Sequence, residues 1–160
     1  SKNREDKSHL SVIGVLRKVD TASVLFFLGI LLAVAGLQSA GHLAVMAGSL
    51  NDAFDGNIYA INIVIGLLSS IVDNVPLVAG SMGMYEVAEA GAFAQDGVFW
   101  QFLAFCAGTG GSALIIGSAA GVAVMGLEKI DFVWYLKKIS ILALIGYFAG
   151  AGTYILMQSF

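Results

Sequence analysis

Ile58 to Tyr85 reads IYAINIVIGLLSSIVDNVPLVAGSMGMY, two apolar arms parted by Asp73-Asn74-Val75-Pro76. The first arm, Ile58 to Val72, has 15 residues. As a helix it reaches about 22 Å, short of a hydrocarbon core about 30 Å thick. The second arm, Leu77 to Tyr85, is shorter still. One helix over the whole stretch would be long enough to cross a bilayer, whereas two arms that enter and leave on the same side would not cross at all. The charges on either side decide between the two.

All 8 basic residues fall in two places: Lys2, Arg4, Lys7, Arg17 and Lys18 before the first long apolar run, and Lys129, Lys137 and Lys138 after the last glycine-rich one. Between residues 19 and 128 there is no Lys or Arg, while Asp52, Asp55, Glu86, Glu89 and Asp96 collect in the polar gaps. The positive-inside rule then puts residues 1–20 and 128–138 in the cytoplasm and the acidic gaps outside. An even number of crossings must separate the two basic clusters.

Counting outward from the interrupted stretch satisfies that parity in one way. Residues 22–41 cross once, residues 42–56 lie along the interface, residues 97–128 cross back, and residues 139–158 make one further span that leaves the C-terminus outside. A crossing through 57–88 would break the parity. Residues 57–88 are therefore expected to form a re-entrant helical hairpin that opens outward, with its tip near Asp73–Pro76 deep in the membrane. Such irregular backbone is tolerated only inside protein or beside a water-filled cavity.

Composition agrees. The 160 residues are 58% hydrophobic and 12% charged, with mean hydropathy +0.87, against about 25% charged in a soluble domain. The apolar surplus must face lipid or protein. The runs are continuous rather than alternating, which argues for helices and against a β-barrel, and 20 glycines with 1 proline fit helices that approach closely. The net charge of -3 gives no argument for nucleic acid. Cys106 is alone, so no internal disulfide is possible. The chain opens on a polar stretch without an initiator methionine and resembles no signal peptide, so a fragment cut inside a loop is expected.

Asp73 is the acidic residue placed at membrane depth, with no basic residue within reach in the chain. An intramembrane carboxylate marks function by default. The plainer reading is that Asp73 or Asn74 caps the second arm, since Asp or Asn just before proline is a common helix start. Capping needs only one of the pair and no charge, which leaves Asp73 as a candidate for a cation or a proton. Ser69 and Ser70 precede the tip and could add hydroxyl ligands or bond back to their own helix.

A second break is expected at Gly108-Thr109-Gly110-Gly111-Ser112, halfway along the apolar segment 97–128. Clustered glycines open a membrane helix and free carbonyls to coordinate a cation. Close packing through small residues is the alternative, and its spacing by four is present at Gly117 and Gly121 and at Gly146 and Gly150. Gly108-Thr-Gly110 superficially matches a dinucleotide fingerprint but has no strand–turn–helix context. The candidate cation site is thus Asp73, Asn74, Ser70, Gly108, Thr109, Gly110 and Ser112. This oxygen-rich set suits a hard cation such as sodium.

Ser69-Ser70-Ile-Val-Asp73-Asn74-Val-Pro76-Leu-Val, Gly108-Thr-Gly-Gly-Ser-Ala-Leu-Ile-Ile-Gly117-Ser-Ala-Ala-Gly121 and Trp134-Tyr-Leu-Lys-Lys138-Ile-Ser resemble the NhaD-type sodium:proton antiporters. Those belong to the ion transporter superfamily, which also holds arsenite pumps and dicarboxylate transporters. The match runs from about Arg17 to Tyr154 and corresponds to the C-terminal third or so of the family. The resemblance implies one half of an all-α inverted-repeat transporter, with Asp73-Asn74 at the second hairpin tip and Gly108–Ser112 at the break of the paired helix. It also implies a bacterial inner membrane, no cofactor, and sodium or lithium exchanged for protons in pH homeostasis. The partners implied are the lipid bilayer and the N-terminal repeat that this sequence lacks. A homodimer is left open.

Two other classes stay in view. An anion or metalloid carrier of the same superfamily would be expected to show a neutral tip or basic groups near the site. A non-transporting membrane subunit would need Asp73 only as a cap. An enzyme is not expected, since there is no nucleophile–base pair, HExxH or Cys/His cluster. His9 reads as tail and His42 as interfacial; Glu86, Glu89 and Asp96 read as a solvated loop, and Trp100, Trp134 and Tyr135 as interfacial anchors.

Overall fold

A computed structural model describes residues 21–160. The expected cytoplasmic segment 1–20, with His9, lies outside the described residues. The contacts divide the chain into two units, Ser1–Ala33 and Val34–Phe160. The described part of the first is helical and carries exposed Val24, Leu25, Leu28, Leu31 and Leu32. It belongs to α1, Thr21–Ser39.

Within the second unit the chain turns at Ala40–Gly41 and continues as α2, His42–Ala53. Gly41 takes a left-handed φ of 76°, where a side chain would be strained. Three more elements follow: α3, Ile58–Leu68, α4, Asn74–Met84, and α5, Val98–Gly110. Two 3₁₀ turns, Gly111–Ala113 and Ile115–Gly117, then lead into α6, Ala119–Leu127. The chain ends with α7, Phe132–Lys138, and α8, Ser140–Gln158. The described elements are all helical, as composition required; Ala88 and Ala94 form one isolated bridge in the loop between α4 and α5.

Both interruptions read from the sequence are present. Asn57 starts α3 by accepting from the amides of Tyr59 (3.0 Å) and Ala60 (3.2 Å). The arm then stops at Leu68, four residues before Val72, and Ser69 to Val72 form turns. Asp73 starts α4. The segment 97–128 is broken too, although not where the first glycines stand. Gly108, Thr109 and Gly110 are still helical, and unwinding begins at Gly111 and runs to Ser118. Glycine permits a break but does not force one, and Gly110 stays helical where it packs against Gly66.

The core lies between α3 and α5, which make the most extensive helix pair. Ile61, Ile65, Phe99 and Leu103 are buried there, with Ala47 from α2 and Tyr85 from the end of α4. A second cluster joins Phe102 and Cys106 to Tyr147 and Ala151 of α8. Burying one Phe or Ile stabilises by about 1.5–3 kcal/mol, so these two clusters fix α3, α5 and α8 as one body. The outward faces are apolar: Ile141, Leu142, Ile145, Phe148, Leu156 and Met157 of α8 are exposed. Among the described residues α8, with 19 residues, is long and apolar enough to cross a bilayer by itself.

Candidate cation site at two helix breaks

The face that α3 turns to α5 is a polar and small-residue stripe, Asn62, Gly66 and Ser69, spaced by four and three. Each member makes a distinct contact. The Asn62 Nδ2–H donates to the Phe99 carbonyl at 3.0 Å, within the first turn of α5. Gly66 lies against the backbone of α5: a Cβ on it would stand 2.6 Å from the Cys106 carbonyl oxygen, and a Cβ on Gly110 would overlap the Gly66 carbonyl. The Ser69 hydroxyl donates to the Ala107 carbonyl at 2.8 Å, fully buried. From the far side, the Tyr147 hydroxyl of α8 donates to the Ile63 carbonyl at 2.8 Å.

These contacts bring the two breaks together. A Cβ on Gly117 would stand 2.7 Å from both the Cα and the carbonyl oxygen of Ser70, and one on Gly111 would stand 3.4 Å from the Ser69 hydroxyl oxygen. The turn between α3 and α4 therefore rests on the unwound stretch that follows α5, backbone on backbone. Only residues without a side chain admit so close an approach.

The candidate residues then separate. Asp73 is the N-cap of α4; its Oδ1 accepts from the Val75 amide at 3.1 Å and the residue is half-buried. Asn74 is the first residue of α4 and lines a cavity of about 480 Å³ with Ala107, Gly108, Trp100, Leu103 and Asp96. Nothing lies within 4 Å of a Cβ built on Gly108, so its α-carbon faces open space. Ser70 bonds back to Leu67 of its own helix at 2.7 Å, and Thr109 to Phe105 at 2.6 Å, so neither hydroxyl proton is free in this arrangement. Gly110 is buried packing against Gly66. The Ser112 side chain is exposed, and its carbonyl accepts from the Tyr135 hydroxyl at 2.9 Å.

Sequence reasoning missed three parts of this arrangement. Asn62 is fully buried, and its Oδ1 has no partner among the described residues; its spacing from Gly66 and Ser69 was the available signal. Tyr135 and Tyr147 each reach a backbone carbonyl far away in sequence, which no local pattern announces. Among the described residues no three of His, Cys, Asp or Glu gather as a metal group. A cation held here would therefore meet mostly backbone, amide and hydroxyl oxygens, with Asp73 at the cap of α4 and Asp96 on the wall of the cavity that Asn74 lines.

A family model described as citrate transporter matches residues 7–101, more than half of the chain. The chain belongs to the citrate transporter family. Sodium/proton antiporter 1 of Arabidopsis thaliana is 51% identical over 154 residues, 96% of this chain and 26% of that protein. The Na(+)/H(+) antiporters NhaD of Halomonas elongata and Vibrio cholerae are 34% and 35% identical, over 86% and 98% of this chain and 26% and 34% of theirs. This member of the citrate transporter family thus spans about a quarter to a third of the length of the relatives it matches. The resemblance to NhaD-type antiporters is borne out over most of the chain. The relatives are transporters and not enzymes, and the family is one of multi-pass membrane proteins. No solved structure matches.

Proposed function

We propose that this chain supplies half of the ion site of a secondary active transporter that exchanges sodium or lithium for protons. One observation supports this reading above the others. The turn that leads into Asp73 is packed, through Ser69 and Ser70, on Gly111 and Gly117 of the broken stretch after α5, and Asn74 shares a cavity with Gly108. Paired helix interruptions are where secondary transporters bind their cargo.

In this reading α3 and α4 are the arms of a re-entrant hairpin (57–88), α5 and α6 are halves of a broken span (97–128), and residues 22–41 and 139–158 cross once each. Residues 1–20 are cytoplasmic and residues 42–56 interfacial. Asp73 spends one oxygen on its cap, and its carboxylate holds either a cation or a proton. Competition for that group is the minimal basis of exchange. Asn74, Ser70 and the backbone oxygens of Gly108, Thr109 and Gly110 complete this half of the site, and a second repeat supplies the rest. No cofactor takes part. The resemblance implies a bacterial inner membrane; plant relatives match as well, so the bilayer is proposed only as one that carries a proton gradient.

The family description favours a second reading, an organic anion as cargo. A polycarboxylate calls for cationic partners, and no Lys or Arg stands between residues 19 and 128. That absence, with the antiporter names of the relatives, favours the cation. Asp73→Asn in a complete transporter that contains these residues tests the choice. Sodium-dependent proton movement in inverted vesicles is expected to be lost while the protein still inserts. Retained exchange would remove Asp73 from the mechanism and leave it a cap.

A further inference from the structure

After α6 the chain turns through Glu128 to Asp131 and enters α7. Asp131 caps that helix by accepting from the Trp134 amide at 3.0 Å. The next residue, Tyr135, is half-buried, and its hydroxyl donates to the carbonyl of Ser112 at 2.9 Å, 23 positions back in the chain. Ser112 stands in the first 3₁₀ turn after α5, and Leu114 beyond it is extended, with φ -126° and ψ 140°. A side chain of α7 therefore engages a backbone oxygen of the unwound segment itself.

That bond lies in a second cavity of about 270 Å³, lined by Gly111, Ser112, Ser118, Gly121, Ile130 and Tyr135. The cavity that holds Asn74 takes Ala107 and Gly108 from the last turns of α5; the second takes Gly111 and Ser112, just past its end. The two cavities meet the chain on either side of the point where the helix gives way. The Ser112 carbonyl stands between them in the chain, at the start of the unwound segment.

We propose that Tyr135 is a positioning residue that holds the Ser112 carbonyl away from the cargo and closes the second cavity at the break. A carbonyl oxygen accepts through directed lone pairs. A hydroxyl fixed on one of them sets the direction in which the group points, and turning it toward a cation means giving up that bond. Tyr135 thus biases the break toward the cavity that holds Asn74. The inference rests on the cation-exchange reading above and assigns the closing of one side of that same site.

Tyr135→Phe keeps the ring and removes the donor. In a complete transporter reconstituted in vesicles, the expected result is a sodium KM lowered by about threefold to tenfold, the range that one net hydrogen bond can shift an equilibrium, with kcat not raised. An unchanged or raised KM overturns the proposal. A merely structural tyrosine would lower the amount of folded protein and kcat without tightening sodium.

A second measurement does not depend on transport. In a variant whose sole cysteine replaces Ile115, a buried residue that lines the second cavity, a membrane-impermeant maleimide applied from the side of Lys137 and Lys138 should react several-fold faster once Tyr135→Phe is added. Equal rates overturn the closure. Asp73→Asn in the same vesicles separates the two readings. Exchange that survives it sinks the cation site, whereas exchange lost with Asp73→Asn but unaltered by Tyr135→Phe sinks only the role of Tyr135.

Discussion

The Ser69 hydroxyl donates to the Ala107 carbonyl across 2.8 Å of fully buried space. The carbonyls in the last turn of a helix lose their partners as the helix ends. Here the Gly111 amide, which would serve Ala107 in a continued helix, bonds to Thr109 instead. The serine thus takes over an orphaned carbonyl of α5 and ties the end of α3 to it. One contact satisfies the backbone and brings the two breaks into register.

Ser69→Ala should then leave the Ala107 carbonyl buried and unpaired. The expected cost is about 1–3 kcal/mol of stability, read as a lower melting temperature of the purified transporter in detergent. Ser70→Ala removes only a bond to its own helix and should cost less than half as much. Equal effects would show that the tie to α5 does not hold the turn.

The glycines of α5 make a sharper comparison. A methyl on Gly110 overlaps the Gly66 backbone, while one on Gly108 meets nothing within 4 Å. Gly110→Ala should abolish accumulation of folded protein, because two backbones cannot separate without taking α3 off α5. Gly108→Ala should accumulate normally and be slightly stabilised as a helix residue, by roughly 0.5–1 kcal/mol. Its methyl enters the cavity lined by Asn74, so exchange should fall. Gel-filtration profiles and vesicle assays of the two variants check this together.

Much of this was legible beforehand. Asp73-Asn74-Val-Pro76 announces a helix start whatever surrounds it, because the cap and the proline act within one turn; the short arms follow from that, while the Asn57 cap came only with the structure. The position of the second break was not legible. Gly108 and Gly110 have the same low helix propensity as Gly111, and tertiary contact decided among them: Gly110 stays helical while pressed on Gly66, and the chain unwinds where the Ser69–Ser70 turn meets Gly111 and Gly117. Ser69 defied the local expectation for the same reason, since a carbonyl on another helix was left without a partner. Tyr135 read as an anchor because its acceptor lies 23 residues away.

Asn62 offers a test of the α3–α5 seam. Its Nδ2 donates to the Phe99 carbonyl, and its Oδ1 is buried without a partner among the described residues. Asn62→Leu loses one bond but also the cost of an unsatisfied oxygen, so stability should change by no more than about 1 kcal/mol. Asn62→Asp puts a charge, or a proton taken up to neutralise it, where no cation is paired with it among the described residues. It should destabilise by several kcal/mol, on the order of 3–5. Thermal unfolding ranks the two, and a tolerant Asn62→Asp would mean that water reaches the seam.

Asp73 is where capping and ion handling can be pulled apart. Asn caps a helix about as well as Asp, whereas Ala lacks an acceptor and costs about 0.5–2 kcal/mol. Asp73→Asn should therefore keep the Val75 amide bonded and melt close to the unaltered protein, yet carry no sodium-dependent proton flux. Asp73→Ala should lose both. If the carboxylate were only a cap, the order would be different: Asp73→Asn would transport, and any loss in Asp73→Ala would follow its stability. Melting curves and flux measured on the same preparations distinguish the two cases, because the charge enters one quantity and the hydrogen bond enters both.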